Sequence, residues 1–537
     1  MSVTAIRAAK HVIPGKAVMP GTVSIAGRVI TPPELLSIVR HEIGPLRRLA
    51  SHLPILQVPR RLYERYEKLF DVIRSDKMHN KYRVSWEGST DPASDLAADA
   101  VGELLKYMRE KLKIGPESVI ALYVTSTTCN SNDPPGANEV LDRIVQKGFV
   151  SKSIVEAKGQ EGKGWEVFNV VEGCDGFIKM LEQIEDRMYR KVSEGKISDG
   201  DLKRYDGRKY VIGVATANYE LFIDGRNPHE ILTYTNEASA VLIEVTGDNS
   251  GQLVFGPERI FVNRKGKVTH HIREPKHGGF VERARAYFSS NYADSQKEAA
   301  RLRRHCPEYL LMLARENNFK ITDFDHLLLS QIRESVLRKI EIGLADQYRR
   351  ELNMNENIRT EIKDMLAHFG ITSISQIDED ELNGEPEPEV GKIEGNLCRY
   401  FYELVKVLDV KNNRNFMIDE RFNIIPKTLD HNEARLLVYM IDLQRKILRN
   451  REENGGYGGV ADLPVSLAEL AEQGVDLNGN SFALVGMGLG KMQGMLMGKS
   501  KTSLSRKVTG DTEVDLCNET LTDLPDSHAL PKEVVMV

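Results

Sequence analysis

Residues 46–200 alternate between amphipathic stretches of helical period and short apolar runs. Asp91 and Pro92 are typical of a helix start, and the apolar positions that follow them recur at helical spacing. A buried-strand run over 119–124 comes next, and an amphipathic helix over about 177–192 closes the segment. This alternation predicts a small N-terminal α/β domain.

Residues 205–500 change from a strand-like period to a helical one. Strand-like segments separated by turn pairs occupy 210–262, and helical spacing dominates from about 294 to 452. The clearest helix is predicted to begin at Thr322 or Asp323. Its apolar face carries side chains four residues apart: Leu328, Ile332, Val336, Ile340 and Leu344. Strands followed by helices predict a larger α+β domain, so the chain as a whole is assigned a mixed α/β, α+β fold.

Both ends of the chain differ from these domains. Residues 1–45 place many glycines and prolines between short Val/Ile runs, which predicts an extended arm. Residues 501–537 form a mostly polar tail that could span about 120 Å if fully extended. Spaced apolar residues on such a tail are suited to docking on another subunit. The predicted self-assembly anchors are Leu516, Leu521, Leu524, Val534, Val535, Met536 and Val537.

Composition narrows the class of protein. The charged residues, 73 Lys and Arg against 78 Asp and Glu, give a net charge of −5, which disfavours direct nucleic-acid binding along the whole surface. The five cysteines are far apart and form no C-x-x-C pair, which is typical of a reducing cytoplasm. No apolar stretch reaches the length of a membrane span. We therefore expect a cytoplasmic protein with no membrane partner.

The most suggestive motif for a cofactor is the glycine-rich segment 482–500. A phosphate-binding loop requires G-x-x-x-x-G-K-[ST], and this chain has Gly498, Lys499 and Ser500 but places Gln493 where the first glycine must stand. A flexible glycine and methionine hinge before the tail fits the segment better. We therefore predict no bound cofactor.

Other candidate sites are incomplete as well. His270, His271, His277, His305 and Cys306 are close in sequence, but no two lie one helical turn apart on a predicted helix. Asp323 and Asp325 fall at a helix start, where capping alone favours carboxylates. The segment 247–251 places its serine one residue late for a nucleophile elbow. Neither a metal site nor a catalytic set is predicted.

A locally basic stretch, 263–277, is the remaining candidate for a binding surface. It lacks the interleaved aromatic residues on which single-stranded nucleic acids stack. A charged hairpin explains the stretch without a ligand, and the acidic segments of another copy are a further candidate partner.

The layout of arm, small α/β domain, α+β domain and anchored tail resembles the chimallins, the shell proteins of nucleus-forming jumbo phages. The resemblance implies a homo-oligomer, a lattice of tetramers held by the terminal segments, and a C-terminal domain similar to an acetyltransferase fold without that activity. It also implies a location in the host bacterial cytoplasm, with other phage proteins as further partners. The acetyl-CoA loop of active acetyltransferases, [RQ]-x-x-G-x-[GA], is missing, because Arg451 is followed by Asn454 where the first glycine should be.

Three functions follow from these observations. The first is a self-assembling, non-enzymatic shell protein that encloses viral DNA. The alternatives are a transferase, dependent on acetyl-CoA or a nucleotide, that uses residues 205–500, and a phage nucleic-acid-associated factor that uses the basic stretch.

Overall fold

A computed structural model describes most of the chain between Thr4 and Gly498. The described residues are 4–12, 23–25, 28–30, 92–127, 136–155, 164–170, 175–195, 209–217, 236–245, 253–260, 270–273, 287–290, 305–330, 334–355, 358–368, 371, 396–407, 429–448, 457–488 and 491–498. They all belong to one compact unit, Met1–Lys499; the predicted tail anchors lie in a second unit, Ser500–Val537, outside the described residues.

The first sheet contains five strands, several of which are buried along their whole length. In chain order these are β1 (Thr4–Val12), β4 (Val119–Ser126), β5 (Glu166–Val170), β6 (Lys209–Ala217) and β7 (Glu237–Val245). The spatial order is β1-β7-β6-β4-β5. β7 runs antiparallel to both of its neighbours, whereas β6, β4 and β5 are parallel to one another. Continuous apolar runs such as that of β6 suit strands covered on both faces.

The second sheet repeats this arrangement. Its strands are β8 (Leu253–Phe255), β9 (Arg259–Ile260), β12 (His326–Leu329), β13 (Phe482–Gly488) and β14 (Lys491–Met497). The order is β12-β13-β14-β8, with β9 also on β14, and Ile447 adds a parallel bridge beside β12. With β8 and β9 counted as one segment and Ile447 as another, the second sheet has the spatial order β8-β14-β13-β12-Ile447. In both sheets the segment that is first in the chain therefore lies beside the fifth, and the fourth, the second and the third follow. The directions also correspond, because β14 is antiparallel to β13 and β8, and β12 is parallel to β13.

Two helices pack between the sheets. They are α4 (Gly176–Ser193) and α9 (Asp462–Glu472). One hydrophobic cluster joins residues of both helices to residues of both sheets. In α9 the apolar side chains point in several directions, as expected for a helix that is covered on all sides.

Further helices cover the outer faces of the sheets. α1 (Pro92–Tyr107) and α2 (Ala137–Gln146) pack on the first sheet, and the helical residues 305–316, α5 (Glu334–Glu351) and α8 (His431–Lys446) pack on the second. α5 and α8 also form a cluster with α6 (Thr360–His368) and α7 (Asn396–Val407). The order of layers is therefore helices, sheet, two helices, sheet, helices.

The remaining elements are short. They are β2 (Val23–Ile25), β3 (Arg28–Ile30), β10 (His270–Arg273), β11 (Tyr287–Ser290), the one-turn α3 (Lys152–Val155), a π-helical turn Met108–Leu112, and 3-10 turns at Pro116–Ser118, Ile321–Asp323 and Gly459–Ala461. Among the described residues, no helix combines the length and the apolar character needed to cross a membrane.

The mixed α/β, α+β fold class is confirmed. Several local assignments differ from the structure. Thr4–Val12, assigned to an extended arm, is the edge strand of the first sheet. The strands over 209–245, assigned to the second domain, complete the first sheet because β6 pairs with β4.

Two further segments differ. The helix predicted from Thr322 begins at Glu334, and the apolar run before it forms the buried strand β12. The segment predicted as a flexible hinge is the β13–β14 hairpin, in which Phe482 pairs with Met497. A short apolar run has the same pattern in a buried strand as in a buried helix, which explains the first difference.

Candidate functional site

The two middle helices begin at a region with several buried polar side chains. In the first sheet Thr125 lies at the carboxyl end of β4, and Ala217 at the end of β6 pairs with Glu237 at the start of β7. In the second sheet Ser330 follows β12 at the same level as Val485 of β13. We call this region the inter-sheet site and define it by Thr125, Asp175, Glu237, Ser330, Tyr457, Gly458 and Asp462.

Tyr457 and Gly458 connect the two sheets at this site. The Tyr457 hydroxyl donates a 2.9 Å hydrogen bond to the carbonyl of Met487 in the second sheet. Gly458 lies against Glu237 of the first sheet, so closely that a Cβ on Gly458 would be 1.7 Å from the Glu237 Oε1. Two consecutive residues therefore contact opposite sheets, and the site lies between them.

The second sheet holds its side of the site through Ser330. The Ser330 N–H donates to the Val485 carbonyl at 3.1 Å, and the Met487 N–H donates to the Ser330 Oγ at 2.9 Å. Ser330 thus continues the pairing of β12 with β13 after the strand itself ends. The Met487 backbone is therefore held twice, by Ser330 through its N–H and by Tyr457 through its carbonyl.

The turn Gly459–Ala461 joins this region to α9. The Gly458 N–H donates to the Asp462 Oδ1 at 2.9 Å, and Asp462 is the first residue of α9. The turn packs against α4 and against β4, β6 and β7. It therefore brings the start of α9 to the carboxyl edge of the first sheet.

Thr125 provides an unpaired polar atom. By strand alternation it shares the face of Ala121 and Tyr123, which pack into the core between the sheets. Its side chain is 1% exposed, and within the described part of the chain its hydroxyl has no hydrogen-bond partner. A buried polar atom without a partner is uncommon in native proteins and indicates a place where a ligand or water supplies the missing bond.

The start of α4 contributes both backbone dipoles and a carboxylate. Asp175 is the N-cap residue, is 2% exposed, and makes no capping hydrogen bond with its side chain. The first N–H groups of a helix have no partner within it, and the helix dipole adds partial positive charge at this end. An 18-residue helix that begins in a buried position is therefore a potential anion site.

A cysteine immediately precedes this helix in the sequence. Cys174 directly precedes Asp175 in the chain and is outside the described residues. The two described cysteines have a different character. Burial raises the pKa of the Cys306 thiol, and it raises the pKa of the Cys398 thiol to about 12, so both are expected to be unreactive.

Of the residues considered as metal ligands, His277 lies outside the described residues. Among the residues that the structure covers, no group of three His, Cys, Asp or Glu side chains could hold a metal ion. Asp323 accepts the Lys320 N–H at 2.7 Å and caps the 3-10 turn Ile321–Asp323. Asp325 accepts the Ser481 N–H at 2.9 Å beside β13 and is not at a helix start.

The structure also describes most of the segment 482–500, which was the candidate for phosphate binding. Gln493 lies in the middle of β14 opposite Gly486, and a phosphate-cradling loop cannot form there because the backbone pairs with β13. Of the basic stretch 263–277 only His270–Arg273 is described, as strand β10. The segment 247–251 and the predicted tail anchors lie outside the described residues.

Sequence reasoning did not select the residues of the inter-sheet site. Cys174 was considered only as a metal ligand or disulfide partner, although a cysteine between a strand and a long amphipathic helix is a recognisable signal. For Glu237 no such signal exists, because nothing in the sequence shows that this carboxylate is fully buried.

No protein-family model matches this chain, and no curated protein matches it in sequence. Solved structures do match. A 3-oxoacyl-(acyl-carrier-protein) synthase III is 12% identical with a TM-score of 0.48, covering 92% of this chain and 99% of the synthase. The priming β-ketosynthase of a polyketide biosynthetic pathway is 10% identical with a TM-score of 0.48, covering 92% and 96%. OleA of Xanthomonas campestris, with bound lauric acid and lauroyl-CoA, is 11% identical with a TM-score of 0.46, covering 93% and 99%.

These matches correct two predictions. The matched proteins are synthases and ketosynthases, and none of these three is a shell protein, a chimallin or an acetyltransferase. The predictions of a self-assembling phage-nucleus shell and of a chain without enzymatic activity are therefore wrong. A likeness of this size concerns the fold alone.

Proposed function

We propose that this chain is an acyl-transferring enzyme that carries the acyl group as a thioester on Cys174. The observation that supports the proposal is the position of the α4 start, which lies buried between two sheets with Cys174 next to it in the chain. This proposal is a form of the predicted transferase alternative. The proposed active site uses both sheets rather than residues 205–500 alone.

The start of a helix favours the reactive form of a cysteine. The thiolate is the nucleophile, and partial positive charge at a helix N-terminus lowers the pKa of a neighbouring thiol. The flanking residues Gly173 and Gly176 carry no side chain that could block the approach of a substrate. The sequence therefore gives Cys174 neighbours that suit a nucleophile.

The same helix end suits the oxyanion that forms during acyl transfer. When a thiol attacks a thioester carbonyl, negative charge develops on the carbonyl oxygen. The first N–H groups of α4, including those of Gly176 and Phe177, have no partner within the helix and are suited to receive that oxygen. Removing one such donor typically costs about 10²- to 10³-fold in rate.

Burial of the site favours transfer over hydrolysis. Thr125, Asp175 and Glu237 are each at most 2% exposed, so bulk water has little access to their surroundings. An acyl thioester held there is protected from water until an acceptor molecule enters.

Intact-protein mass spectrometry tests the proposal. Purified protein is incubated with acetyl-CoA and, separately, with lauroyl-CoA as acyl donors. We expect one acyl group per chain, released by neutral hydroxylamine as a thioester is, and located on the peptide that contains Cys174. The variant Cys174→Ala should take up none. Cys517→Ala is the matched control and should be acylated like the unchanged chain.

Two results would reject this function. One is the absence of any hydroxylamine-labile adduct with both donors, and the other is acylation that persists in Cys174→Ala.

Self-association and a cytoplasmic location remain proposals. The wide spacing of the five cysteines supports the location, and the apolar anchors of the tail support a homo-oligomer. Sedimentation of the full chain beside a chain ending at Ser500 tests the second: a loss of mass per particle is expected on truncation, and identical subunit numbers would exclude the tail as the cause.

A further inference from the structure

We propose that α9 binds a monovalent alkali cation between the Glu469 carboxylate and the Ser466 hydroxyl. Both side chains are buried without hydrogen-bond partners, they share one face of the helix, and they lie near its C-terminal end. This site is separate from the function proposed for Cys174 and does not depend on it.

Glu469 is a buried carboxylate with no partner. It is 6% exposed, and within the described part of the chain neither of its two carboxylate oxygens has a hydrogen-bond partner. Removing a charged carboxylate from water is costly unless an opposite charge or hydrogen bonds offset the loss, and buried charges in proteins are therefore paired or bound to a metal ion. A positively charged ligand is expected at Glu469.

Ser466 provides a second unpartnered oxygen on the same face of α9. It lies three residues before Glu469, so the two Cβ atoms are about 5 to 6 Å apart. Ser466 is almost fully buried, and its hydroxyl has no hydrogen-bond partner among the described residues. A serine in a helix often bonds to the carbonyl four residues before it, but Ser466 does not. Its hydroxyl oxygen is therefore available to a ligand that also contacts Glu469.

The end of α9 increases the need for positive charge. Glu469 and Glu472 both lie in the last turn of the helix, which contains no basic residue. Partial negative charge at a helix C-terminus disfavours carboxylates and favours cations. Lys10 of β1 pairs with Glu472, with 3.3 Å between its Nζ and the Glu472 Oε1. That ion pair offsets the charge of the exposed Glu472 and leaves the charge of the buried Glu469.

The available ligands favour a monovalent ion. Zinc and calcium sites use several carboxylate, nitrogen or thiolate ligands, and the described residues contain no such group. One carboxylate carries one negative charge, so a sodium or potassium ion balances it, whereas a divalent ion would leave a buried positive charge. The Glu469 oxygens and the Ser466 Oγ are oxygen ligands, and water completes the coordination.

A cation at this position stabilises the middle layer of the fold. α9 packs on β1 and β7 of the first sheet and on β12 and β13 of the second. An ion that binds the folded chain and not the unfolded chain shifts the folding equilibrium towards the folded state. Above the dissociation constant, each tenfold increase in its concentration lowers the unfolding equilibrium constant about tenfold.

Urea unfolding of the full chain in three chloride salts tests the proposal. Potassium, sodium and choline chloride are compared at equal ionic strength, because choline screens charges similarly but is too large for a buried site. We expect a higher unfolding midpoint in potassium or sodium than in choline, and the larger increase identifies the preferred ion. Sodium-23 NMR measures binding directly: the sodium signal should broaden when the chain is added and narrow again when potassium displaces the bound ion.

Three variants separate this site from general effects of salt. Glu469→Gln keeps the shape of the side chain and removes its charge, so both the difference between the salts and the sodium broadening should disappear. Ser466→Ala keeps the charge and loses one ligand, so about tenfold more cation should be needed for the same effect. Glu472→Gln is the matched control, because Glu472 lies in the same turn but is exposed, and it should keep both responses.

Two results would overturn the proposal. One is an equal unfolding midpoint of the unchanged chain in all three salts without sodium broadening, as expected if the Glu469 carboxyl is neutral. The other is a cation response that persists in Glu469→Gln, as expected if the ions act elsewhere on the protein. Neither result changes what is expected for the acylation of Cys174.

Discussion

The contact between Gly458 and Glu237 gives a prediction whose size can be worked out from the structure. The change Gly458→Ala adds one carbon atom at a place where the backbone conformation permits it, with φ −95° and ψ 15°. The new Cβ would be 2.2 Å from the Glu237 Cδ and 2.6 Å from its Cγ. Carbon atoms in contact lie about 3.5 to 4.0 Å apart, so the carboxylate must move by more than about 1 Å.

The cost follows from the burial of both partners. Glu237 is fully buried and begins a paired strand, so it cannot rotate into solvent. Overpacking of a buried site costs about 1 to 3 kcal/mol, and we expect Gly458→Ala to lose that much free energy of unfolding. Gly115→Ala is the matched control. Its Cβ would lie 2.0 Å from the Glu117 Oε1, but Glu117 is exposed and can turn away, so the expected loss is below about 0.5 kcal/mol.

A double-mutant cycle isolates the contact. Unfolding in urea is followed by tryptophan fluorescence, since Trp165 is buried and donates its indole N–H to the Pro116 carbonyl. In a Glu237→Ala background the added methyl group meets no carboxylate, and Gly458→Ala should then cost almost nothing. A cost that is the same in both backgrounds would refute the reasoning, because the loss would come from something other than the contact with Glu237.

Two further predictions concern the second sheet. Tyr309→Phe removes a hydroxyl that accepts the buried Gly494 N–H at 2.8 Å, so β14 should lose about 1 to 3 kcal/mol of local stability and its amide hydrogens should exchange faster. Tyr400→Phe deletes the same atom from a side chain in the helical cluster and should leave exchange over β14 unchanged. Equal protection of β14 in both variants would contradict the expectation. Burial lowers the pKa of His326 from 6.5, with the charge of Asp325 opposing this shift. The stability that the neutral imidazole contributes is therefore fully present above pH 6.5 and is lost as the pH falls towards the lowered pKa. His326→Gln should flatten this part of a stability profile measured from pH 8 to about 5. An unchanged slope in the variant would disprove the role of His326.

Sequence patterns located many elements but not their partners. The helix predicted over 177–192 is Gly176–Ser193, and the one beginning at Pro92 starts at that residue. Capping signals and long amphipathic periods act locally, which explains this agreement. The pairing of β1 with β7 joins residues more than 200 positions apart, and no local signal carries that information.

The candidate site was hidden for a similar reason. Its groups come from β4, β7, the start of α4 and the turn before α9, which are far apart in the chain. Cys174 could have been selected by its place before an amphipathic helix. Glu237 and Gly458 could not, because their importance comes from a contact between segments that only the folded chain brings together.

The middle layer of helices, which both sheets share, affects how this chain folds during its synthesis. The first sheet has all its strands once Val245 has been synthesised, but α9, which packs on β1 and β7, begins 217 residues later at Asp462. At about 5 to 20 residues per second, part of the inner face of this sheet stays uncovered for roughly 10 to 40 s. An apolar surface exposed for that long in a crowded cell is a substrate for chaperones, and an N-terminal fragment that stops before α9 should depend on them permanently.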